Sequence, residues 1–183
     1  MALIGKGVIL ETFETVSEGE SPVVGEIHLL EPFIAATRAA VGEMVGGEIG
    51  VRKMVRTVVH HAFGDIAAVI GLSKKGDVTA ASPGSLALSF PQRTAAALAQ
   101  RILTGTTIEM DQKLINDCMG EIANVVAGQA KALLAETRYQ FVFALPPTVV
   151  DAREFQPQPG LDCLLVGFTT DHGEFAMQLS LAL

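Results

Sequence analysis

The sequence predicts an α+β fold in which an antiparallel β-sheet packs against long helices. Three observations predict it. The stretch from about Asp111 to Glu136 contains no proline and consists mostly of good helix formers. Runs with β character are divided by turn residues, as hairpins require. With 49% hydrophobic residues in 183, the chain can bury one real core and falls within the size of one domain.

The elements follow in order. Glu11 to Gly25 is acidic and carries Ser17, Gly19, Ser21, Pro22 and Gly25, the composition of a loosely attached segment, so residues 1–27 read as an N-terminal extension and 28–183 as the folded domain. Glu31 to Val45 is expected to be a helix with Pro32 in its first turn and Phe33, Ala36, Ala40, Val41 and Met44 on its apolar face; the run Gly42, Gly46, Gly47 and Gly50 is expected to end it. Val51 to His60 and Asp65 to Leu72 read as strands, with a turn at Lys74-Lys75-Gly76-Asp77 leading into Val78 to Ser82. Leu86 to Phe90 extends the sheet, Pro91 opens a helix through Leu103, and Gly105 closes it. After the long helix, Tyr139 to Leu145, Leu161 to Thr169 and Glu174 to Leu183 are three more strands, separated by Pro146, Pro147, Pro157 and Pro159 and by the turn Asp171-His172-Gly173. The last run alternates Phe175, Met177, Leu179, Leu181 and Leu183 with smaller or polar residues, the pattern of a half-buried strand; its apolar character suits pairing across subunits or coverage of an edge by the N-terminal segment.

Composition removes several classes of function. A formal net charge of −7, one tyrosine and no tryptophan argue against a nucleic-acid partner, which needs basic patches and stacking platforms. Met1 to Leu10 lacks the apolar core and cleavage site of a secretory signal, and no apolar run reaches membrane-spanning length, so no membrane insertion is expected. Cys118 and Cys163 stand far apart, which fits neither a disulfide framework nor a zinc site and points to a reducing cytoplasm. His28, His60, His61 and His172 lack metal-ligand spacing, so no metal site is expected. No nucleophile elbow, phosphate-binding loop or dinucleotide fingerprint occurs.

The long helix carries the candidate chemistry. At 100° per residue, Asp117, Glu121, Asn124 and Gly128 fall within about 60° of one another and form one polar stripe. Ile115, Cys118, Met119, Ile122, Val125, Val126 and Leu133 form a broad apolar face that should anchor the helix, leaving the stripe to solvent or a partner. Spacing alone is equally that of a solvated helix face. Composition favours a binding surface: asparagine is a mediocre mid-helix residue, and Gly120 and Gly128 each cost roughly 1 kcal/mol against alanine there. Glycines beside a carboxylate and an amide would let another molecule's backbone come close.

The run Asp117-Cys-Met-Gly-Glu121-Ile-Ala-Asn124-Val-Val-Ala-Gly128-Gln-Ala-Lys131 closely resembles the signature helix of the CheX/CheC phosphatases, which include FliY and share the pattern Asp-x-x-x-Glu-x-x-Asn. The resemblance covers about Leu30 to Leu183. Two departures stand out: the N-terminal extension, and a glycine, Gly46, where the asparagine of a second motif would follow Glu43, which leaves one active helix per chain. What the resemblance implies is a CheC/CheX-like fold and a phosphatase acting on the aspartyl phosphate of a CheY-type response regulator. Asn124 would insert into the regulator's active site and position water, Glu121 would pair with the regulator's lysine, and Asp117, Gly120 and Gly128 would meet the partner. No cofactor of its own is implied, with magnesium on the regulator, and a homodimer is typical. The alternative is a non-catalytic adaptor that binds a response regulator or a flagellar switch component.

Overall fold

A computed structural model of the chain describes residues 21–22, 27–57, 63–76, 84–104 and 109–182. Seven strands, β1 (Ser21–Pro22), β2 (Gly50–Thr57), β3 (Ile66–Lys74), β4 (Gly84–Phe90), β5 (Phe141–Asp151), β6 (Asp162–Thr170) and β7 (Gly173–Leu181), form one sheet in the order β1-β2-β6-β7-β4-β3-β5. Every neighbouring pair is antiparallel. Three helices, α1 (Ile27–Val45), α2 (Gln92–Ile102) and α3 (Gln112–Leu134), lie against one face. The fold is therefore α+β, as the sequence predicts. None of the helices is long and apolar enough to cross a membrane among the described residues.

Strand register decides which side chains meet the helices. Leu164, Val166 and Phe168 of β6 stand beside Leu179, Met177 and Phe175 of β7, and all six are buried in one core with Phe33, Met119, Ile122 and Val126. Phe175 stacks between Phe168 and Phe90, with centroids 5.0 and 5.3 Å away. The alternate residues form a second face, where Val55, Phe63, Leu165 and Ala176 make a small apolar cluster.

Several boundaries differ from expectation. α1 starts at Ile27 rather than Glu31, which puts Pro32 inside the helix; Leu29 and Leu30 are buried, and that burial holds the extra turn despite the lost N–H. β7 is not half-buried and has no free edge. It is flanked by β6 and β4, and Ala176, Gln178 and Ser180 on its second face are buried too, so it cannot serve as the strand for pairing across subunits. β5 runs straight through Pro146 and Pro147 to Asp151 instead of stopping at Leu145. It lies at the border of the sheet, where a missing N–H takes no bond from a neighbouring strand. The strand expected at Val78 to Ser82, the end of the strand reaching His60, His61 and the stop at Gly105 lie outside the described residues. So does the expected loose segment Glu11 to Gly25, apart from Ser21–Pro22, whose backbone pairs with Arg56 and Val55 of β2.

Candidate functional site

α3 begins at a true cap. The side chain of Asp111 accepts a hydrogen bond from the backbone N–H of Leu114 at 2.8 Å, satisfying a donor that the first turn leaves over. Ile115, Cys118, Met119, Ile122, Ala123, Val126, Ala127, Ala130 and Leu134 are buried and fix the helix against the core. The expected apolar face is right for most of its members, with two exceptions: Val125 is half-buried and Leu133 is exposed. The buried arc shifts by roughly 60° around the helix between its first and last turns, since Ile115 and Ile122 lead it early and Ala127 and Leu134 late. Leu133, in line with Ile122, has by then rotated out of it.

With that face buried, Asp117, Glu121 and Gly128 are exposed and Asn124 is half-buried. The helix borders a groove of about 630 Å³ whose helical wall includes Asp117, Gly120, Glu121 and Asn124 and whose opposite wall is Pro146, Pro147 and Val149 of β5. The structure thus brings Asp117, Gly120, Glu121 and Asn124 to one opening. Gly128 stands one turn beyond Asn124, outside the groove lining.

The β5 wall was not foreseen from the sequence. It arises from an irregularity in the ladder: Val69 of β3 pairs with Thr148 and Gly71 with Ala144, so Leu145, Pro146 and Pro147 all stand opposite Ile70. The extra residues bulge toward α3, in the manner by which bulges re-aim side chains beside sites. The Leu145–Pro146 peptide is cis. The available signal was the Pro-Pro pair inside a β-like run, which marks a border strand or a bulge.

The two glycines have different surroundings. A Cβ on Gly120 would stand 3.3 Å from Val149 Cγ2, so the bare backbone lets α3 approach β5 closely. A Cβ on Gly128 would meet nothing within 4 Å.

The chemistry available at the groove is a carboxylate and a carboxamide presented on adjacent turns. A carboxylate accepts hydrogen bonds and attracts cations, whereas an amide both donates and accepts without carrying charge. Cys118 lies beneath the stripe, where burial, with a smaller contribution from the Asp117 carboxylate, pushes its thiol up and so disfavours the thiolate. Glu43 on α1 accepts a 3.3 Å hydrogen bond from Gln129 of α3 and so ties the two helices together. His28 is exposed beside Glu31, and His172 sits in the β6–β7 turn. No group of three or more His, Cys, Asp or Glu is placed to hold a metal among the described residues.

Comparison with known proteins places the fold. The family model described as chemotaxis phosphatase CheX matches residues 66–169, more than half of the chain. No curated protein matches by sequence. Among solved structures, the chemotaxis protein CheX from Desulfovibrio desulfuricans is similar with 27% identity and a TM-score of 0.65, covering 85% of this chain and 99% of its own. A CheC-like superfamily protein from Shewanella sp. PV-4 has 22% identity and a TM-score of 0.70, covering 84% and 97%. The CheX–CheY–BeF3–Mg2+ complex from Borrelia burgdorferi matches with 19% identity and a TM-score of 0.62, covering 82% and 96%.

Proposed function

This chain belongs to the chemotaxis phosphatase CheX family, and we propose that it hydrolyses the aspartyl phosphate of a CheY-type response regulator. The observation that carries the proposal is the joint presentation of Glu121 and Asn124 on the open edge of a helix that is otherwise locked into the core. The Borrelia complex of CheX with CheY supports the choice of partner.

The regulator brings the aspartyl phosphate, a magnesium ion and a lysine to the encounter; the ion offsets phosphoryl charge, and this chain needs no cofactor of its own. What remains is to place a water in line with the bond to the aspartate. The water oxygen bonds to phosphorus as the P–O bond to the aspartyl carboxylate breaks, releasing inorganic phosphate and the free carboxylate. Phosphoryl transfer of this kind responds chiefly to positioning and to charge stabilisation. Asn124 holds the water through its amide, which adds no negative charge beside the phosphoryl group. Glu121, one turn earlier, pairs with the regulator's lysine by a charge-assisted hydrogen bond and keeps the helix in register. Asp117 and Gly120 border the contact, and Gly128 leaves room for the partner's backbone. The partner is cytoplasmic, and so on this reading is the enzyme. A homodimer rests on the resemblance alone and is read by sedimentation equilibrium.

The test is to add catalytic amounts of the chain to a phosphorylated regulator with magnesium and follow phosphate release. Many turnovers per chain are expected. Tight binding with no acceleration would instead make the protein an adaptor.

A further inference from the structure

The groove has a second end that the proposed chemistry does not use. Asn116 lines it two turns before Asn124, roughly 12 Å along the helix axis, and it also lines an adjoining groove of about 350 Å³ that runs on toward Asp151 and Arg153. The two grooves meet at this one side chain. Its amide oxygen is engaged from behind. Gln92 Nε2 donates to Gln112 Oε1 at 2.7 Å, and Gln112 Nε2 donates to Asn116 Oδ1 at 2.9 Å. With Oδ1 occupied, the amide nitrogen is left to donate, and no described residue accepts from it. Lys113, three residues earlier, lines the same groove and forms no ion pair among the described residues.

Resting on the phosphatase reading, we infer that Asn116 and Lys113 form the recognition end of the groove: a pair of donors that takes an acceptor oxygen from the rim of the regulator's phosphorylated pocket. Three arguments support it. A chain with a formal net charge of −7 must approach a pocket that holds a phosphoryl group, and Lys113 supplies local attraction at the mouth. A half-buried amide whose oxygen already accepts from Gln112 presents its nitrogen to a partner and loses less conformational freedom on binding than an unpartnered side chain would. Its position at the junction of two grooves lets one contact register the partner across both. Asn116 is thus a partner-binding residue, set apart from the group that holds the water.

The experiment measures the dissociation constant of the purified chain for a regulator loaded with beryllium fluoride and magnesium, where no turnover intervenes. Asn116→Ala should weaken binding about tenfold. Asn116→Asp should weaken it further, because it sets a carboxylate against an acceptor oxygen. Gln112→Ala should cost about threefold in the wild-type chain and nothing in the Asn116→Ala background, since the relay acts only through that amide. Binding by Asn116→Ala within twofold of wild type, or Asn116→Asp binding better than Asn116→Ala, would overturn the inference, and equal losses from Gln112→Ala in both backgrounds would overturn the relay. Phosphate release by wild type is scored separately. A chain that binds through Asn116 and never releases phosphate would refute the phosphatase reading and sustain this one.

Discussion

Replacing Gly128 by alanine should make the protein more stable and a poorer partner for the regulator. In the interior of α3 an alanine is favoured over glycine by about 1 kcal/mol, and the new methyl would meet nothing within 4 Å, so no steric cost offsets that gain. For a chain of this length, 1 kcal/mol corresponds to a rise in Tm of about 2–4 °C. The same methyl stands on the exposed ridge one turn past Asn124, and a partner backbone lying against that ridge must back away, with an expected loss of about fivefold in kcat/KM, near 1 kcal/mol. Gly120→Ala is the matched control. Its methyl would sit 3.3 Å from Val149 Cγ2, so the helix or the β5 wall must yield by a few tenths of an ångström, and the gain in helix propensity should be largely cancelled. Thermal melts of the three proteins and phosphate-release kinetics decide the matter. A Gly128→Ala protein that is more stable and fully active would show that the glycine is not reserved for a partner; one that is less stable would show that the ridge is not open.

Two further predictions concern buried and paired groups. Burial pushes the Cys163 thiol up to about 12, partly offset by a hydrogen bond with Ser180, and Cys118 is raised as well. A disulfide reagent at about pH 8 should therefore label neither thiol in the native protein and both in denaturant, whereas rapid native labelling would contradict the burial of β6 and α3. The side chain and backbone N–H of Arg153 hold the Asp151 carboxyl at about 2, below its ordinary 3.8. Because the folded value is depressed, the pairing contributes stability above about pH 4 and loses it as pH falls toward about 2. Arg153→Ala should thus differ from wild type at neutral pH and converge with it in acid, as followed by urea unfolding; a difference that grew on acidification would refute the pairing.

How much of this was legible in the sequence depended on whether the signal was local. α3 was, because its proline-free run and its 3.6-residue pattern lie within one stretch, and the stripe of Asp117, Glu121 and Asn124 follows from the same period. Half of the groove was not. Pro146 and Pro147 read as strand breakers, and only the pairing of β5 with β3, which joins residues 67 to 85 positions apart, shows them continuing a border strand as a bulge. Gly120 was read as leaving room for another molecule's backbone, whereas its nearest neighbour is Val149 of the chain's own β5, a contact that depends on the same long-range pairing. Leu133 failed because a wheel assumes one fixed buried face, whereas the buried arc of α3 turns along its length. β7 failed because alternation reports side-chain chemistry and not what covers each face: Ala176, Gln178 and Ser180 are small or polar and are buried nonetheless. The amide relay from Gln92 to Asn116 joins two helices and carries no local signature.

The most direct measurement of the central claim compares single-turnover loss of phosphate from a phosphorylated regulator saturated with either wild-type chain or Asn124→Ala. Saturation removes any difference in affinity, so the rate reports only the placement of water. The account predicts a fall on the order of 100-fold, about 2.7 kcal/mol of transition-state stabilisation, with melting temperature and regulator binding retained. Decay as fast with Asn124→Ala as with wild type would mean that the amide on the edge of α3 does not position the attacking water.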